Sequence, residues 1–217
     1  GSPDGRRAYV TSNLDGTLTA VDVQARKVAF TYPVRSSDGV EVSADGGTVY
    51  VNVLEGVAAL DSRTGAGHVH ELPRIVDEYP GAVVVSKDGS RLYVATFVAN
   101  LRLTGFVTAI ALPQYAVVGR IGVGRWPRGM ALAADGGKLY VANGADGTVS
   151  VIDAARLQLV KTIPVGVDPL GVASSFDGAT LLVTNNGSAN VTFIDAGTDT
   201  VVRKVDVPGV TSYGRFI

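Results

Sequence analysis

The chain has 217 residues, of which 46% are apolar and 18% charged, and its formal net charge is -1. This length and composition are typical of a globular domain that folds without a metal or disulfide, and they exclude a disordered chain. The near-neutral charge predicts no binding to nucleic acid or an anionic membrane, and the absence of cysteine excludes thiolate catalysis and cysteine-ligated metals.

An Asp-Gly dipeptide recurs along the chain and marks a repeat. Successive copies are 41, 43, 47 and 42 residues apart, and their aspartates are Asp4, Asp45, Asp88, Asp135 and Asp177. Asp-Gly is typical of tight hairpins, in which the aspartate accepts hydrogen bonds from the backbone of its own turn. We therefore assign these aspartates to turns and not to a metal array.

Each Asp-Gly pair is followed by two β-rich strings and then a further strand. In chain order the first strings are AYVTS, VYVNV, LYVAT, LYVAN and LLVTN, and the second are TAVD, AALD, TAIA, SVID and TFID. The aspartates that end the second strings are also assigned to turns: Asp22, Asp61, Asp153 and Asp195. The next repeat begins with a strand such as GMALAADG from Gly129. Four strands in each period of about 40 to 50 residues, without helical periodicity, indicate a β-propeller, with an all-β solenoid as the alternative.

The two ends of the chain predict how the propeller closes. The chain starts at a hairpin turn, and the string GRFI at residues 214–217 matches the innermost strand GMAL at 129–132. We predict one all-β domain over residues 1–217, with five four-stranded antiparallel blades starting near residues 2, 43, 86, 133 and 175. The strand at 213–217 is predicted to join the N-terminal blade, which would remove an exposed sheet edge and leave a monomer.

Three strings carry a resemblance to a known family. YVAN from Tyr140, SVID from Ser150 and TIPVGVDPLGVA from Thr162 resemble the YVTN repeat, and the resemblance extends over all five periods. It is weakest in the third period, where Ala111 replaces the aspartate of the ID pair. This superfamily includes surface-layer-like proteins, exported binding proteins, sugar-lactone hydrolases and the haem-carrying propellers of cytochrome nitrite reductases. The resemblance therefore implies a propeller, although its usual members have more blades, and leaves several functional classes open.

The residues offer little for catalysis or metal binding. His68 and His70 are the only histidines, and on a strand they share one face. They are a weak candidate metal site, because zinc sites usually have about three or more protein ligands and only Glu71 stands beside them. The chain has no Gly-x-Ser-x-Gly string, Walker string or dinucleotide-binding glycine motif. We predict no catalytic residue, no metal and no cofactor.

Loops that depart from the repeat are the candidate recognition site. Three of them, at residues 72–80, 96–105 and 124–129, belong to adjacent blades. Tryptophan, tyrosine and arginine are over-represented among residues that dominate binding. The predicted binding residues lie in these loops and in the closing strand: Glu78, Tyr79, Arg102, Arg125, Trp126, Arg128, Tyr213 and Arg215. Packing over the blade tops is an equal alternative for Trp126, and an internal ion pair is the alternative for Arg215.

The leading hypothesis is a non-enzymatic binding or scaffolding propeller that recognises a small molecule or protein on the loop face around the central channel. The alternatives are a lactonase-like hydrolase or a haem- or metal-carrying propeller, and a trimmed or engineered scaffold without a natural ligand. No apolar run of about 18 residues is present, so we expect no membrane insertion. The resemblance implies a periplasmic or extracellular protein, whose signal peptide would lie outside this sequence.

Overall fold

A computed structural model of the chain describes residues 1–35, 39–72, 78–98 and 104–207. Over these residues the chain forms 19 strands and no helix, so it contains no helix that could cross a membrane. The strands pair into five antiparallel sheets, four with four strands and one with three. The predicted all-β class and the four-stranded blade are therefore confirmed, with a three-stranded first blade.

The sheets follow one another along the chain. Sheet 1 comprises β1 (Arg7–Ser12), β2 (Thr17–Asp22) and β3 (Lys27–Pro33). Sheet 2 comprises β4 (Gly39–Val42), β5 (Thr48–Val53), β6 (Gly56–Asp61) and β7 (Gly67–Glu71). Sheet 3 comprises β8 (Glu78–Val85), β9 (Arg91–Val98), β10 (Gly105–Ala111) and β11 (Ala116–Val123). Sheet 4 comprises β12 (Pro127–Leu132), β13 (Lys138–Asn143), β14 (Thr148–Asp153) and β15 (Gln158–Pro164). Sheet 5 comprises β16 (Pro169–Ser174), β17 (Thr180–Asn185), β18 (Asn190–Asp195) and β19 (Thr200–Asp206).

The chain forms two compact units. Unit 1 is Gly1–Ala99 with Thr108–Val118, and unit 2 is Asn100–Val107 with Gly119–Ile217. Unit 1 contains sheets 1 and 2 with β8 and β9, unit 2 contains sheets 4 and 5, and β10 and β11 are divided between the units. The closing strand predicted at 213–217 lies outside the described residues. The single domain and the closed ring remain predictions.

Unit 1 is held together by apolar residues on both faces of its central strands. The largest fully buried side chains include Leu18 of sheet 1 and Leu60 of sheet 2, which belong to one core cluster. A second cluster joins sheet 2 to sheet 3 through Val57 and Leu92. Burial on both faces explains why these strands are continuously apolar rather than alternating. A Cβ at Gly39 would lie 2.5 Å from the carbonyl oxygen of Gly81, so glycine permits close approach of β4 to β8.

Unit 2 has the same construction. Tyr140 of β13 is fully buried, and its cluster includes Val149 of sheet 4 with Leu181 and Ile194 of sheet 5. The innermost strands meet closely, because a Cβ at Gly129 would lie 2.5 Å from the carbonyl oxygen of Leu170. Apolar burial of this kind contributes about 25 cal/mol per Å² and makes sheet-to-sheet packing the main stabilising interaction.

The hairpin turns use the aspartates as the sequence predicted. In the second repeat, Asp45 Oδ1 accepts hydrogen bonds from Ser43 Oγ at 2.5 Å and from the Gly47 N–H at 2.9 Å. In the third, the bond from Ser86 and two bonds from Ser90 lower the pKa of Asp88 to about 2. The other turn assignment holds too: Asp61, Asp153 and Asp195 each accept backbone N–H bonds from the following turn. Both sets of aspartates therefore have structural functions.

One backbone conformation recurs in every sheet and was not predicted from the sequence. The fourth residue after the penultimate strand of each sheet has a left-handed backbone, with φ between 52° and 74°: Arg26, Gly65, Tyr115, Leu157 and Asp199. Within unit 2 the Asp199 carboxylate reaches the preceding sheet and accepts a hydrogen bond from Tyr140. Within unit 1 Tyr115 is hydrogen-bonded to Tyr50 of the preceding sheet. This position therefore links neighbouring sheets.

Candidate functional site

The connection between β11 and β12 holds the predicted residues Arg125 and Trp126, and it is fastened to the β13–β14 turn. The Arg125 backbone N–H donates to Asp146 Oδ2 at 2.6 Å, and its Nε donates to Asp146 Oδ1 at 2.5 Å. Its Nη2 also donates to the Ala145 carbonyl at 3.3 Å. A charge-assisted pair of this geometry fixes position as well as contributing energy. Arg125 therefore holds the connection in place.

Trp126 and Arg128 form a stacked pair next to this anchor. The guanidinium carbon of Arg128 lies 5.2 Å from the centroid of the indole, within cation–π distance. Both side chains are half-buried. Trp126 has φ 56°, and its carbonyl accepts a hydrogen bond from the Gly144 N–H at 2.8 Å. The left-handed backbone and this bond fix the position of the Trp126 backbone, from which the indole extends.

A groove of about 550 Å³ opens next to the backbone of Trp126 within unit 2. It lies between the β13–β14 turn and the β15–β16 connection, and its lining is Gly144–Gly147, Val165–Asp168, Ser188, Asn190 and Lys204. A Cβ on Gly144 would lie 3.2 Å from Asp168 Oδ1 and 3.4 Å from the Trp126 carbonyl oxygen. The groove therefore starts next to the backbone of Trp126. We call the groove together with Arg125, Trp126 and Arg128 the unit 2 loop face.

A buried asparagine supports the groove from beneath. Asn185 is 2% exposed, and its Oδ1 accepts the Gly166 N–H at 3.0 Å. Its Nδ2 donates to Thr192 Oγ1 at 2.8 Å and to Asn190 Oδ1 at 2.9 Å. Because Gly166 lines the groove, Asn185 positions the connection that forms one wall. Sequence reasoning assigned no function to this residue, although a polar residue at the end of an apolar strand was a usable signal.

The polar groups of the groove suit recognition. Lys204 Nζ donates to the Val165 carbonyl at 2.8 Å, and Asp168 Oδ2 accepts from Asn186 Nδ2 at 3.1 Å. Ser188 Oγ accepts the Val167 N–H at 3.0 Å, so it is part of the wall. The described lining contains no histidine that could activate this serine as a nucleophile. The groove offers one ammonium, two carboxylates and several backbone groups to a polar ligand.

Comparison with known proteins places the chain in a family. A family model described as lactonase, 7-bladed β-propeller, matches residues 2–156. The chain belongs to this lactonase family. The match supports the β-propeller superfamily that the sequence suggested, and the YVTN type remains a proposal. No curated protein matches this lactonase-family chain.

Solved structures give the same fold. Hydrazine synthase of Kuenenia stuttgartiensis is 29% identical, with a TM-score of 0.68 over 79% of this chain and 49% of its own. The lactonase-family chain therefore spans about half the length of that relative. A protein of unknown function from Bacteroides caccae aligns over 92% of this chain and 72% of its own, with a TM-score of 0.71 and 15% identity. The second likeness concerns the fold alone.

Unit 1 of the lactonase-family chain holds two of the other predicted binding residues. Tyr79 in β8 is 40% exposed, and its ring stacks on Phe97 of β9 with centroids 5.8 Å apart. Glu78 is the first residue of β8. Arg102, Tyr213 and Arg215 lie outside the described residues. Of the predicted residues, the structure thus brings Arg125, Trp126 and Arg128 into one cluster.

The two histidines pack with tyrosines in unit 1. The rings of His68 and His70 have centroids 4.4 Å apart, and His70 stacks on Tyr115 at 3.3 Å with an interplanar angle of 6°. Burial, followed by the charge of His68, lowers the pKa of His70. No group of three or more histidine, aspartate or glutamate residues suited to a metal occurs in the described part of the chain. His70 therefore contributes to packing between sheets 2 and 3.

Unit 1 also has a groove at the corresponding place between sheets 1 and 2. It measures about 430 Å³ and is lined mainly by apolar residues, with Arg35 and Glu55 at its mouth. These two side chains are exposed, and their charged atoms lie 3.8 Å apart. Its polar groups are fewer than those of the unit 2 groove. The unit 2 loop face is therefore the stronger candidate site.

Proposed function

We propose that this chain is a non-enzymatic binding propeller that recognises a polar small molecule on the unit 2 loop face. The observation that carries the proposal is the groove of about 550 Å³ that starts next to the backbone of Trp126, whose half-buried indole stacks with Arg128. Binding sites combine a concave surface with a few oriented polar groups and an aromatic or arginine anchor. The loop face has all three features.

The rigidity of the loop face supports this proposal. Arg125 with Asp146 fixes one connection, and Asn185 with Gly166 fixes the other. A site that is held in shape before binding loses less conformational entropy when the ligand arrives.

A lactone hydrolase is the second candidate, and the family match over residues 2–156 favours it. Hydrolysis of a lactone requires a base that activates water. We assign the role of this base to Asp168, because its Oδ1 borders the groove beside Gly144. Its Oδ2 is held by Asn186, which would orient the carboxylate.

One pair of variants distinguishes the two functions. A library of polar metabolites, including γ- and δ-lactones, is screened by thermal shift, and hits are measured by calorimetry. We expect Trp126→Ala to weaken binding at least about tenfold while the melting temperature changes little, because truncated anchors commonly cost about 2 kcal/mol. Unchanged affinity in this variant contradicts the binding proposal. Lactone hydrolysis that is lost in Asp168→Asn establishes the second candidate instead.

We also propose that the repeat is of the YVTN type and that the protein acts in the periplasm or outside the cell. The strings YVAN and SVID and the resemblance to exported propellers support both statements. The absence of cysteine is compatible with an oxidising compartment. Fractionation of native cells with an antibody to the chain tests the location, and recovery in the cytosol contradicts it.

A further inference from the structure

Equivalent positions in the two units differ in one charge. In unit 2, Lys138 is the first residue of β13, and its Nζ lies 2.7 Å from Asp199 Oδ2 of the next sheet. The other oxygen, Oδ1, accepts a hydrogen bond from Tyr140 at 2.8 Å. A lysine and a tyrosine of one sheet thus share a carboxylate that the left-handed position of the next sheet provides.

Unit 1 keeps the cation and the tyrosine but lacks the carboxylate. Arg7 is the first residue of β1, Tyr9 follows at the same interval as Tyr140, and the left-handed position of sheet 2 is Gly65. Tyr9 instead donates to the Ser62 carbonyl at 2.8 Å. A Cβ at Gly65 would lie 2.6 Å from the ring of Phe30, so a side chain there would require Phe30 to shift. Sheet 2 therefore places no carboxylate at the position that Asp199 occupies in sheet 5.

The Arg7 guanidinium is left incompletely satisfied. Its Nη1 is shielded from solvent and has no hydrogen-bond partner among the described residues. Its guanidinium carbon lies 5.9 Å from the centroid of Phe30, at the outer limit of about 6 Å for a cation–π contact. A shielded donor without an acceptor is unfavourable. If the guanidinium turns toward the cavity that Arg7 lines, an acceptor from outside the chain can satisfy this donor.

Space for such an acceptor is present. A cavity of about 560 Å³ lies between sheets 1 and 2 within unit 1, and Arg7 and Tyr9 form part of its lining. This volume is within the range of small-molecule sites, about 300 to 1,000 Å³. The cavity opens at the Asp-Gly hairpins, whereas the unit 1 groove lies at the opposite ends of the same strands.

We propose that this cavity binds the carboxylate of a small molecule through Arg7. Arginine suits carboxylate binding because its planar guanidinium can donate two parallel hydrogen bonds to the two carboxylate oxygens. The rim also carries carboxylates: Asp4, Asp22, Asp45 and Asp61. Each already accepts a hydrogen bond from its own turn. The rim therefore selects compounds that carry an ammonium group as well as a carboxylate, such as amino acids.

Nuclear magnetic resonance of the arginine Nε–Hε signals tests the proposal directly. Acetate, succinate and β-alanine are titrated at constant ionic strength. We expect saturable shifts of the Arg7 signal, with β-alanine binding more tightly than acetate and succinate binding least. Arg7→Gln should weaken β-alanine binding about 10- to 100-fold, the usual effect of a lost charge-assisted hydrogen bond.

Two further variants protect the test against misfolding and non-specific charge effects. Arg6→Gln makes the same charge change at an exposed arginine on the rim and should leave affinity within about twofold. Phe30→Lys with Gly65→Asp rebuilds the arrangement of unit 2, where Lys161 occupies the position of Phe30, and should abolish binding in a folded protein. The proposal is overturned by an Arg7 signal that does not saturate, by equal losses in Arg6→Gln and Arg7→Gln, or by full binding in the double variant.

Discussion

Replacing Asp199 by asparagine isolates the charge that joins sheets 4 and 5. Asparagine tolerates the left-handed backbone at this position, where φ is 54°. It retains an oxygen for Tyr140 but removes the ion pair with Lys138. The 2.8 Å bond from Tyr140 thereby becomes neutral, and the 2.7 Å bond from Lys138 is lost because the amide nitrogen that replaces Oδ2 cannot accept.

The magnitude follows from burial and bond type. A hydrogen bond to a charged group contributes about 1 kcal/mol more than a neutral one, so two such bonds amount to about 2 kcal/mol. The Lys138 side chain is 32% exposed and that of Asp199 is 12% exposed, so solvent screening reduces the expected loss to about 1 to 2 kcal/mol. For a chain of this length the melting temperature should fall by about 2 to 8 °C.

Urea denaturation followed by circular dichroism measures this loss near neutral pH. Asp206→Asn is the matched control, because Asp206 ends the exposed strand β19 and the charge change is the same. The control should change the free energy of unfolding by less than about 0.5 kcal/mol. If Asp199→Asn unfolds at the same urea concentration as the control, the carboxylate does not hold the two sheets together and the reasoning is wrong.

Four other outcomes can be measured. Trp126→Ala should keep the free energy of unfolding within about 1 kcal/mol of wild type by urea denaturation but weaken ligand binding at least about tenfold in calorimetry. Asn185→Ala should cost about 2 to 4 kcal/mol in the same denaturation experiment, because it leaves the Gly166 N–H without its acceptor. The Asp88 pKa of about 2 is below its usual 3.8, so stability from this turn should be full above pH 3.8 and lost as the pH falls to about 2; melting curves of Asp88→Asn should lack this part of the pH dependence. Light scattering over a concentration series should give 22.4 kDa if the predicted ring closes within one chain, and a larger mass contradicts that prediction.

Local chemistry explains why the turns were predictable from sequence. Asp45 accepts hydrogen bonds from residues two positions away on either side, so its turn function can be predicted from a few consecutive residues. The same is true of Asp195, which bonds to Thr198. Strand order followed from the repeat, since each strand pairs with its neighbour along the chain.

Contacts between sheets were not predictable in the same way. Lys138 and Asp199 are 61 residues apart, and their contact depends on how far one sheet is rotated against the next. Arg125 was predicted as a ligand-binding residue, but its backbone N–H and its Nε both donate to Asp146, which is 21 residues away. Asn185 was overlooked because its partner Gly166 belongs to a connection whose path the sequence pattern does not determine.

Because the sheets repeat, residues at equivalent positions of different sheets can be compared with one another. Lys138 and Arg7 occupy equivalent positions in their sheets. Lys138 is paired with the Asp199 carboxylate, whereas Arg7 Nη1 has no hydrogen-bond partner among the described residues. When Trp126 and Asp168 both have left-handed backbones before a proline, the change from a short acid to a large aromatic cannot be attributed to backbone demands. Regular positions are constrained by packing in every blade, so a departure that packing does not require is most simply explained by recognition. On that reasoning, we propose Arg7 in unit 1 and Trp126 in unit 2 as recognition residues of two separate sites.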